Sequence, residues 1–209
     1  YGSQGSILMV RNRRPPHHSN GSAFVNISGD YRYMGEGHYE SVEAEIQGIP
    51  VYPQVKESLD AYVVPLCMER AKMAGIDIPE YYISNGYFDP PAIVYPINPF
   101  MRKHSIVYKE GHVKTIGKSL TRNYKYPICV QKIEGDASIR EFKCVMGTSS
   151  TEEFDPIASE VWNLFHLPMC KVRVIENGKV LLSAVEPLPL HQLRPKELKL
   201  LRKANEWQI

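Results

Sequence analysis

The sequence has few cysteines, no long apolar run and no excess of charge of either sign. Its four cysteines are separated by 62, 15 and 26 residues, so no pair has the short spacing of a zinc knuckle or a dithiol motif. Cys129, Cys144 and Cys170 lie in apolar, strand-like runs, where a free thiol packs as a small core residue. These features favour reduced thiols in a cytoplasmic protein over a disulfide-stabilised secreted domain.

No apolar stretch approaches the roughly 18 residues of a membrane-spanning helix, and the first residues lack the apolar region of a signal peptide. The 25 Lys and Arg against 23 Asp and Glu leave a net charge of +2, which gives no strong reason to expect nucleic acid or an anionic membrane as a partner. Basic and aromatic residues also do not alternate along any strand pattern. The sequence therefore predicts a soluble, cytoplasmic protein with no nucleic-acid or membrane partner.

What the sequence does contain is an ordinary globular composition with many prolines and tyrosines. Hydrophobic residues make up 43% and charged residues 23%, as in a folded domain, and there are 16 Pro and 13 Tyr. A length of 209 residues is compatible with one domain. Because aromatic side chains are enriched at protein interfaces, a structural protein that forms homo-oligomers is one function that stays open.

The first third of the chain shows two strand patterns and two helix patterns. Apolar runs at Ser6–Val10 and Ala23–Ile27 predict short strands. Residues Glu36–Gln47 have apolar side chains at spacings of three and four, which predicts a helix and, with the preceding strand, a βα unit. A second helical stretch, Leu59–Ala74, contains Pro65, so this helix is kinked there or begins one turn later.

Residues 76–105 are rich in proline and tyrosine. Proline opposes regular structure in a sheet or helix interior, whereas the aromatic content indicates packing. The segment is therefore predicted to be an Ω-like excursion that wraps a core, as part of an elaborated loop at about 76–118.

From Lys125 onward the pattern indicates regular elements. Asp155 and Pro156 suit the start of a helix, and Asn177-Gly178 between two apolar runs is a strong hairpin signal. The predicted elements are strands at Tyr126–Lys132, Ile139–Met146, Lys171–Ile175 and Lys179–Val185, and helices at Glu153–Phe165 and Pro195–Ala204. The predicted fold class is α+β: one domain over residues 1–209, with a mixed sheet, an N-terminal βα unit, a C-terminal β-hairpin and flanking helices.

The stretch from Ser28 to Tyr39 is the first candidate ligand site, because it joins a predicted strand to a predicted helix. Backbone N–H groups at a helix N-terminus, together with an arginine, can hold a phosphate or a carboxylate. The candidate ligand-binding residues there are Gly29, Arg32, Gly35, Gly37 and His38, and Asn85 and Glu186 from later in the chain complete the predicted set of seven. The spacing matches no phosphate-loop fingerprint and Glu36 would repel an anion, so a purely structural βα turn is the alternative.

The other chemistry-bearing residues form no recognisable catalytic group. No serine lies in a nucleophile elbow, and the histidines show no metal-ligand grouping, so no metal site is predicted. His166, at the end of a predicted helix, is better explained as a C-terminal cap than as a ligand. A small enzyme with an unrecognised site built from Arg32, His38, Asn85 and Glu186 stays open.

Several of these runs resemble one known family. Residues Val25–Tyr33, Gly37–Tyr39 and Ile49–Pro53 resemble the N-terminal domain found before RimK-like ATP-grasp ligases. The later stretches that resemble the end of that domain are Tyr126–Val130, Ile157–Phe165, Leu167-Pro168 and the hairpin Val172–Val185, followed by Glu186-Pro187-Leu188. Residues 76–118 show no such likeness.

The resemblance implies an α+β module that accompanies an amide-forming ligase. In such ligases ATP activates a carboxylate as an acyl phosphate, which an amine then captures. The sequence shows no glycine-rich flexible loop, lysine pair or acidic Mg²⁺ pair. The resemblance therefore implies that ATP and Mg²⁺ belong to a partner ATP-grasp ligase domain or protein. This chain would bind a small-molecule or peptide substrate, and catalysis by the chain alone is not expected.

The same C-terminal residues also resemble the metal-bearing hairpin of ATP-grasp folds. In that hairpin the first strand usually holds an acidic ligand and the second ends in Glu-x-Asn. Here Arg173 occupies the inner part of the first strand, and Pro187-Leu188 follow Glu186. Because one carboxylate is a poor Mg²⁺ site, the likeness implies a degenerate relative of the ATP-grasp fold.

Overall fold

The computed structural model describes residues 23–101 and 103–203. A strand, a helix and a parallel strand come first: β1 (Phe24–Val25), α1 (Glu36–Ile46) and β2 (Val51–Tyr52). Phe24 and Val51 pair across the two strands and pack with Ala44 of α1. The predicted βα unit at Ala23–Ile27 and Glu36–Gln47 is thus confirmed. The predicted strand at Ser6–Val10 lies outside the described residues.

Two helices occupy the stretch that contains Pro65. Helix α2 (Val55–Tyr62) is followed by α3 (Val64–Met73), whose N-cap Val63 is extended and whose first turn contains the proline. Proline fits the first turn of a helix because its missing N–H would have no intrahelical partner there. Of the two alternatives predicted for this stretch, the helix that begins near Pro65 is the one observed.

Residues 76–105 do not form an irregular excursion. They contribute β3 (Tyr81–Ser84), β4 (Ala92–Pro96) and the start of β5 (Ser105–Val107), which join β6 (Ile128–Lys132) in an antiparallel sheet of order β3-β6-β4-β5. The prediction was wrong because the prolines lie at the strand ends, where no ladder hydrogen bond is lost: Pro91 directly precedes β4 and Pro96 ends it.

Helix α4 (Val113–Leu120) follows β5 after a 3-10 turn at Glu110–His112 and covers this sheet. Its apolar side chains Val113 and Leu120 are buried in one cluster with Val94, Val107 and Val130 from the strands. The elaborated loop predicted at about 76–118 is therefore also wrong, because the segment forms most of a sheet and its covering helix.

The C-terminal elements follow the prediction closely. They are β7 (Ser138–Val145), β8 (Thr148–Ser149), α5 (Asp155–Phe165), β9 (Met169–Glu176), β10 (Val180–Pro187) and α6 (Pro195–Lys203), with a sheet order of β10-β9-β7-β8. The α+β fold class is confirmed, as is the hairpin around Asn177-Gly178. His166 is the left-handed C-cap of α5, with a φ of 47°, as expected. Asp155 does not cap the helix, because its Oδ1 accepts the Ser149 N–H at 2.7 Å.

The chain divides into two compact units. Unit 1 contains residues up to 59, 142–172 and from 186 onward, and unit 2 contains residues 60–141 and 173–185. A cluster of Met169, Leu188, Leu193 and Leu201 forms part of the core of unit 1. The expectation of a single domain over residues 1–209 remains a prediction.

All four cysteines are buried free thiols, in agreement with the expected core role. Burial raises the pKa of Cys67 and of Cys129 to about 12, so both thiols are protonated at neutral pH. Among the described helices, none combines the length and the apolar character that crossing a bilayer requires.

Candidate functional site

Asn26 organises the segment that joins β1 to α1. This segment is here called the Asn26 loop (residues 26–39) and includes the first turn of α1. Its side-chain Nδ2 donates to Gly37 O at 2.7 Å and to Ser41 Oγ at 3.1 Å, and its Oδ1 accepts the Ser28 N–H. The Tyr31 hydroxyl donates to Asn26 O at 2.7 Å. Asn26 and Tyr31 are fully buried, and burial raises the pKa of Tyr31 well above its ordinary value. The loop is therefore held to the helix by buried hydrogen bonds.

Two glycines of the Asn26 loop are required by close approach. A Cβ on Gly37 would lie 1.9 Å from Ser28 Oγ and 2.6 Å from Asp30 O. Gly29 has a φ of +72°, and a Cβ there would lie 2.0 Å from Leu188 O. The Leu188 N–H also donates to Gly29 O at 2.8 Å. Both positions therefore exclude any side chain, which favours the predicted structural turn without excluding a ligand.

Arg32 is paired within its own loop. Its Nε donates to Asp30 Oδ1 at 2.7 Å and its Nη2 donates to Asp30 Oδ2, in a bidentate pair. The Arg32 carbonyl accepts the N–H of Gly35, which is the N-cap of α1. A bound anion would have to compete with Asp30 for the guanidinium.

The first turns of α1 are electrostatically unfavourable for an anion. Burial raises the pKa of Glu40, and the neighbouring carboxylates of Glu36 and Glu43 raise it further. His38 is 6% exposed, its Nδ1 has no hydrogen-bond partner among the described residues, and its ring edge meets Tyr33 at a centroid distance of 5.2 Å. Burial lowers the pKa of His38, so the imidazole is neutral at pH 7.

The structure brings five of the seven predicted ligand residues into the Asn26 loop and the first turn of α1. Glu186, at the end of β10, is also in unit 1, and it stands two residues before Leu188, which bonds to the loop. Asn85 is exposed in the turn after β3 and belongs to unit 2. The ligand role of all seven residues stays a prediction.

A second polar group lies inside unit 2, here called the Arg173 cluster (Tyr95, Gln131, Glu141, Arg173 and Ser183). Arg173 Nη1 donates to the Tyr95 hydroxyl at 3.1 Å, and Nη2 donates to the Glu141 carboxylate. Tyr95 Oη lies 2.8 Å from Ser183 Oγ. Ser183 Oγ donates to Gln131 Oε1 at 2.6 Å, and Gln131 Nε2 donates to Ser183 O at 2.7 Å.

The cluster forms one continuous chain of hydrogen bonds with a consistent direction. Since arginine can only donate, the Tyr95 hydroxyl accepts a hydrogen bond from Arg173 and donates one to Ser183 Oγ. The Ser183 hydroxyl in turn donates to Gln131. Arg173, Tyr95, Gln131 and Ser183 are each at most 3% exposed, whereas Glu141 is 45% exposed on its side chain. The arrangement satisfies a buried cation and leaves no carboxylate in its interior.

The residues present do not fit a divalent cation at this hairpin. Magnesium is held by carboxylate and other oxygen ligands, whereas Arg173, at the inner part of the first hairpin strand, is itself a cation. Nowhere in the described residues do three or more His, Cys, Asp or Glu side chains gather in a group that could hold a metal ion. The arrangement is that of a structural polar core.

Sequence reasoning singled out Arg173 but missed its partners. Gln131 and Ser183 each interrupt an apolar strand, in the runs Ile128–Lys132 and Val180–Pro187, and Tyr95 is the penultimate residue of β4. A polar residue in the middle of a buried strand requires a hydrogen-bond partner, so these interruptions were the available signal. Arg173 lies 78 residues from Tyr95 and 32 from Glu141 along the chain, and Ser183 lies 88 from Tyr95 and 52 from Gln131, so the sequence does not show these contacts.

Comparison with protein families supports the resemblance for the second half of the chain. Residues 107–204 match the family described as the RimK-like ATPgrasp N-terminal domain, which is just under half of the chain. This confirms the likeness stated for the C-terminal runs. The likeness of residues 25–53 lies outside the matched segment. No protein with a curated description matches the chain by sequence.

Solved structures share the fold at low sequence identity. A RimK domain ATP-grasp protein from Sphaerobacter thermophilus superposes with a TM-score of 0.64 at 12% identity, covering 88% of this chain and 80% of that one. A D-alanine–D-alanine ligase from Helicobacter pylori gives 0.63 at 15% identity, covering 88% and 70%. The ligase PsnB, in complex with a minimal precursor, Mg and ADP, gives 0.54 at 11% identity, covering 82% and 68%. The chain therefore has an ATP-grasp-like fold.

Proposed function

We propose, from the match of residues 107–204 to the RimK-like ATP-grasp N-terminal family, that this chain is an accessory module of an amide-forming ligase. It would recognise the substrate and leave the ATP-dependent step to a partner ATP-grasp ligase domain or protein. The proposal has two parts: the chain does not carry out ATP chemistry itself, and it binds a carboxylate-containing substrate or the ligase that acts on one.

The observation that carries the first part is the Arg173 cluster. Acyl phosphate formation places the negative charge of ATP and of a carboxylate close together, and divalent cations normally neutralise that charge. Arg173 brings a positive charge, but its guanidinium is already engaged by Tyr95 and Glu141. Binding phosphates there would require these buried hydrogen bonds to break, which is costly in a low-dielectric interior.

The Asn26 loop is consistent with recognition. Its fold is fixed by buried hydrogen bonds of Asn26, and it presents the N-terminal turn of α1 beside the paired Arg32. The carboxylates of Glu36 and Glu43 oppose an anion on the first turns of α1, so the attraction for a carboxylate would come from the Arg32 guanidinium. In this proposal Arg32 exchanges Asp30 for a carboxylate of the substrate.

A nucleotide-binding, degenerate ATP-grasp protein is the second candidate function. The fold neighbours that favour it are ATP-grasp ligases, which the chain overlaps over 88% of its own length. The two candidates make opposite predictions for ATP, so one titration distinguishes them.

The test is a calorimetric titration of the full chain with Mg–ATP, accompanied by an assay for released phosphate. The accessory function predicts no saturable binding and no phosphate release above the protein-free control. Arg140→Ala, a variant of another arginine of unit 2, is the control. Saturable Mg–ATP binding that is lost in Arg173→Ala but retained in Arg140→Ala would contradict the accessory function and support the second candidate. Arg140 pairs with Glu176 outside the Arg173 cluster, which makes it a matched control.

A further inference from the structure

The positive charge of this nearly neutral protein is concentrated in one segment of unit 2. Residues 103–125 contain six Lys or Arg and one acidic residue, Glu110. The whole chain has 25 basic and 23 acidic residues, so the remaining residues include 19 basic and 22 acidic ones. The low overall charge therefore conceals a basic segment within an otherwise slightly acidic chain.

These basic side chains are exposed and lack carboxylate partners. Lys109, Lys114, Lys118, Arg122 and Lys125, here called the basic face, are all exposed, and none forms an ion pair with the part of the chain that the structure describes. Two exposed lysines of unit 2 outside the basic face do form ion pairs: Lys132 with Glu80 and Lys179 with Asp77, each at 2.7 Å. Like charges grouped without counter-charges favour an anionic partner.

Helix α4 carries two residues of the basic face, Lys114 and Lys118, on a rigid support. Its inner side is buried at Val113 and Leu120, which leaves Lys114 and Lys118 on the outer side, one helical turn apart. A Cβ on Gly117 would lie 2.0 Å from Gly86 O, so the helix is packed closely onto the turn after β3. Such packing holds the charges in a fixed arrangement, which lowers the entropy lost on binding.

A shallow depression of about 600 Å³ lies among these charges. It is lined by Lys114, Thr115, Lys118, Ser119, Arg122 and Asn123. The Asn123 N–H donates to Lys118 O at 2.8 Å, and the Tyr124 N–H donates to Thr121 Oγ1 at 2.8 Å, which fixes the turn after α4. The lining thus combines three cations with three short polar side chains that can donate to carboxylates.

We propose that the basic face binds a Glu- and Asp-rich segment of a polypeptide. This inference rests on the proposed function, because it names the substrate class of the recognition module. Four of the five charges are lysines, which act as point charges, whereas phosphate recognition favours the bidentate fork of arginine. One face of the Tyr124 ring is also covered, because a Cβ on Gly86 would lie 2.8 Å from the ring, and this reduces the surface on which a base could stack. These features favour a short acidic polypeptide over a nucleic acid.

The experiment measures fluorescence anisotropy of a labelled peptide of about 20 residues with alternating Glu and Ser, at about 0.1 M salt, where charges are screened beyond about 10 Å. A second peptide has Gln in place of Glu, and a third probe is a thymidine oligonucleotide of equal charge. The full chain is compared with Lys114→Glu/Lys118→Glu and with Lys196→Glu/Lys199→Glu. The second variant changes the net charge equally, at exposed lysines of α6 in unit 1.

We expect the Glu peptide to bind and the Gln peptide not to bind. Lys114→Glu/Lys118→Glu should weaken binding at least about tenfold, and Lys196→Glu/Lys199→Glu should leave the affinity within about threefold. Thermal unfolding of each variant confirms that it is folded. Tighter binding of the oligonucleotide than of the Glu peptide, no binding of either, or equal loss in both variants would overturn the proposal.

The outcome is separable from that of the proposed function. If Mg–ATP fails to bind and the Glu peptide also fails, the chain is still an accessory module, but acidic polypeptides are not its substrate. If Mg–ATP binds and is hydrolysed while the peptide binds through Lys114 and Lys118, the accessory function is wrong, but peptide binding by the basic face is confirmed.

Discussion

The guanidinium of Arg173 donates to the hydroxyl of Tyr95 at 3.1 Å, although 78 residues separate them along the chain. Both side chains are buried, so the first strand of the hairpin holds a cation that is tied to a neutral hydrogen-bond chain. Because this position holds a cation, the hairpin does not suit a magnesium ion. We therefore expect the stability of unit 2 to depend on the residue at position 173.

Replacing Arg173 tests how the buried cation is stabilised. Arg173→Ala leaves a cavity and removes the hydrogen bond that the Tyr95 hydroxyl accepts, so we expect the free energy of unfolding to fall by about 3 kcal/mol. Arg173→Met fills the space with an apolar side chain and should cost only about 1 kcal/mol. Urea denaturation measures both values. The control is Arg140→Met, which removes a partly exposed pair with Glu176 and should change stability by less than about 1 kcal/mol. Equal losses at the two arginines would show that burial of Arg173 is not energetically important.

Gly37 tests the close approach inside the Asn26 loop. Alanine in a helix is ordinarily more favourable than glycine, by about 1 kcal/mol. At Gly37 a Cβ meets Asp30 O at 2.6 Å, and a backbone atom cannot be rotated away, so Gly37→Ala should instead destabilise the protein by about 2 kcal/mol. Gly111 has no atom within 4 Å of its Cβ position, and Gly111→Ala should cost nothing measurable. A neutral or stabilising Gly37→Ala in thermal unfolding would contradict the described loop.

His38 should make stability depend on pH in the acidic range. Burial lowers its pKa from the ordinary value of 6.5, with partial opposition from Glu45, so the folded state favours the neutral imidazole. Its contribution is complete above the unfolded pKa of about 6.5 and is lost as the pH falls through the lower folded pKa. The free energy of unfolding should therefore fall less steeply between about pH 7 and 5 in His38→Phe than in the parent chain. His112→Phe, at an exposed site, is the control. Identical pH profiles for His38→Phe and the parent would contradict this prediction.

Arg32 and Asp30 test whether the Asn26 loop binds anions. Because Asp30 holds the guanidinium in a bidentate pair, we expect phosphate or acetate to raise the unfolding temperature of the parent chain only slightly. Asp30→Asn removes the carboxylate that pairs with the Arg32 guanidinium and should increase the shift, whereas Arg32→Ala should remove it. A shift that survives Arg32→Ala would mean that the loop is a structural turn and that the anion binds elsewhere.

Local signals predicted the βα unit of β1 and α1 and the C-terminal elements well. The hairpin follows from Asn177-Gly178 between two apolar runs, and α5 follows from apolar spacing with Pro156 in its first turn. These elements depend on turn chemistry and periodicity, which nearby residues determine. The prediction for residues 76–105 was wrong because proline opposes regular structure only in the interior of a strand, whereas Pro91 and Pro96 lie at the ends of β4. A proline's effect depends on its place in a strand, and that place is set by pairing partners far along the chain.

The sequence by itself determined the α+β class, the likeness to the RimK-like ATP-grasp N-terminal family, the Gly-rich loop before α1 and the presence of an arginine, Arg173, in the first strand of the hairpin. Each of these depends on residue identity or short-range pattern. Only the tertiary structure decided that Tyr95, 78 residues from Arg173, accepts a hydrogen bond from it and links it to Ser183 and Gln131. Whether a charge in a sequence is available for a ligand depends on which other side chains satisfy it, and only folding brings those side chains together.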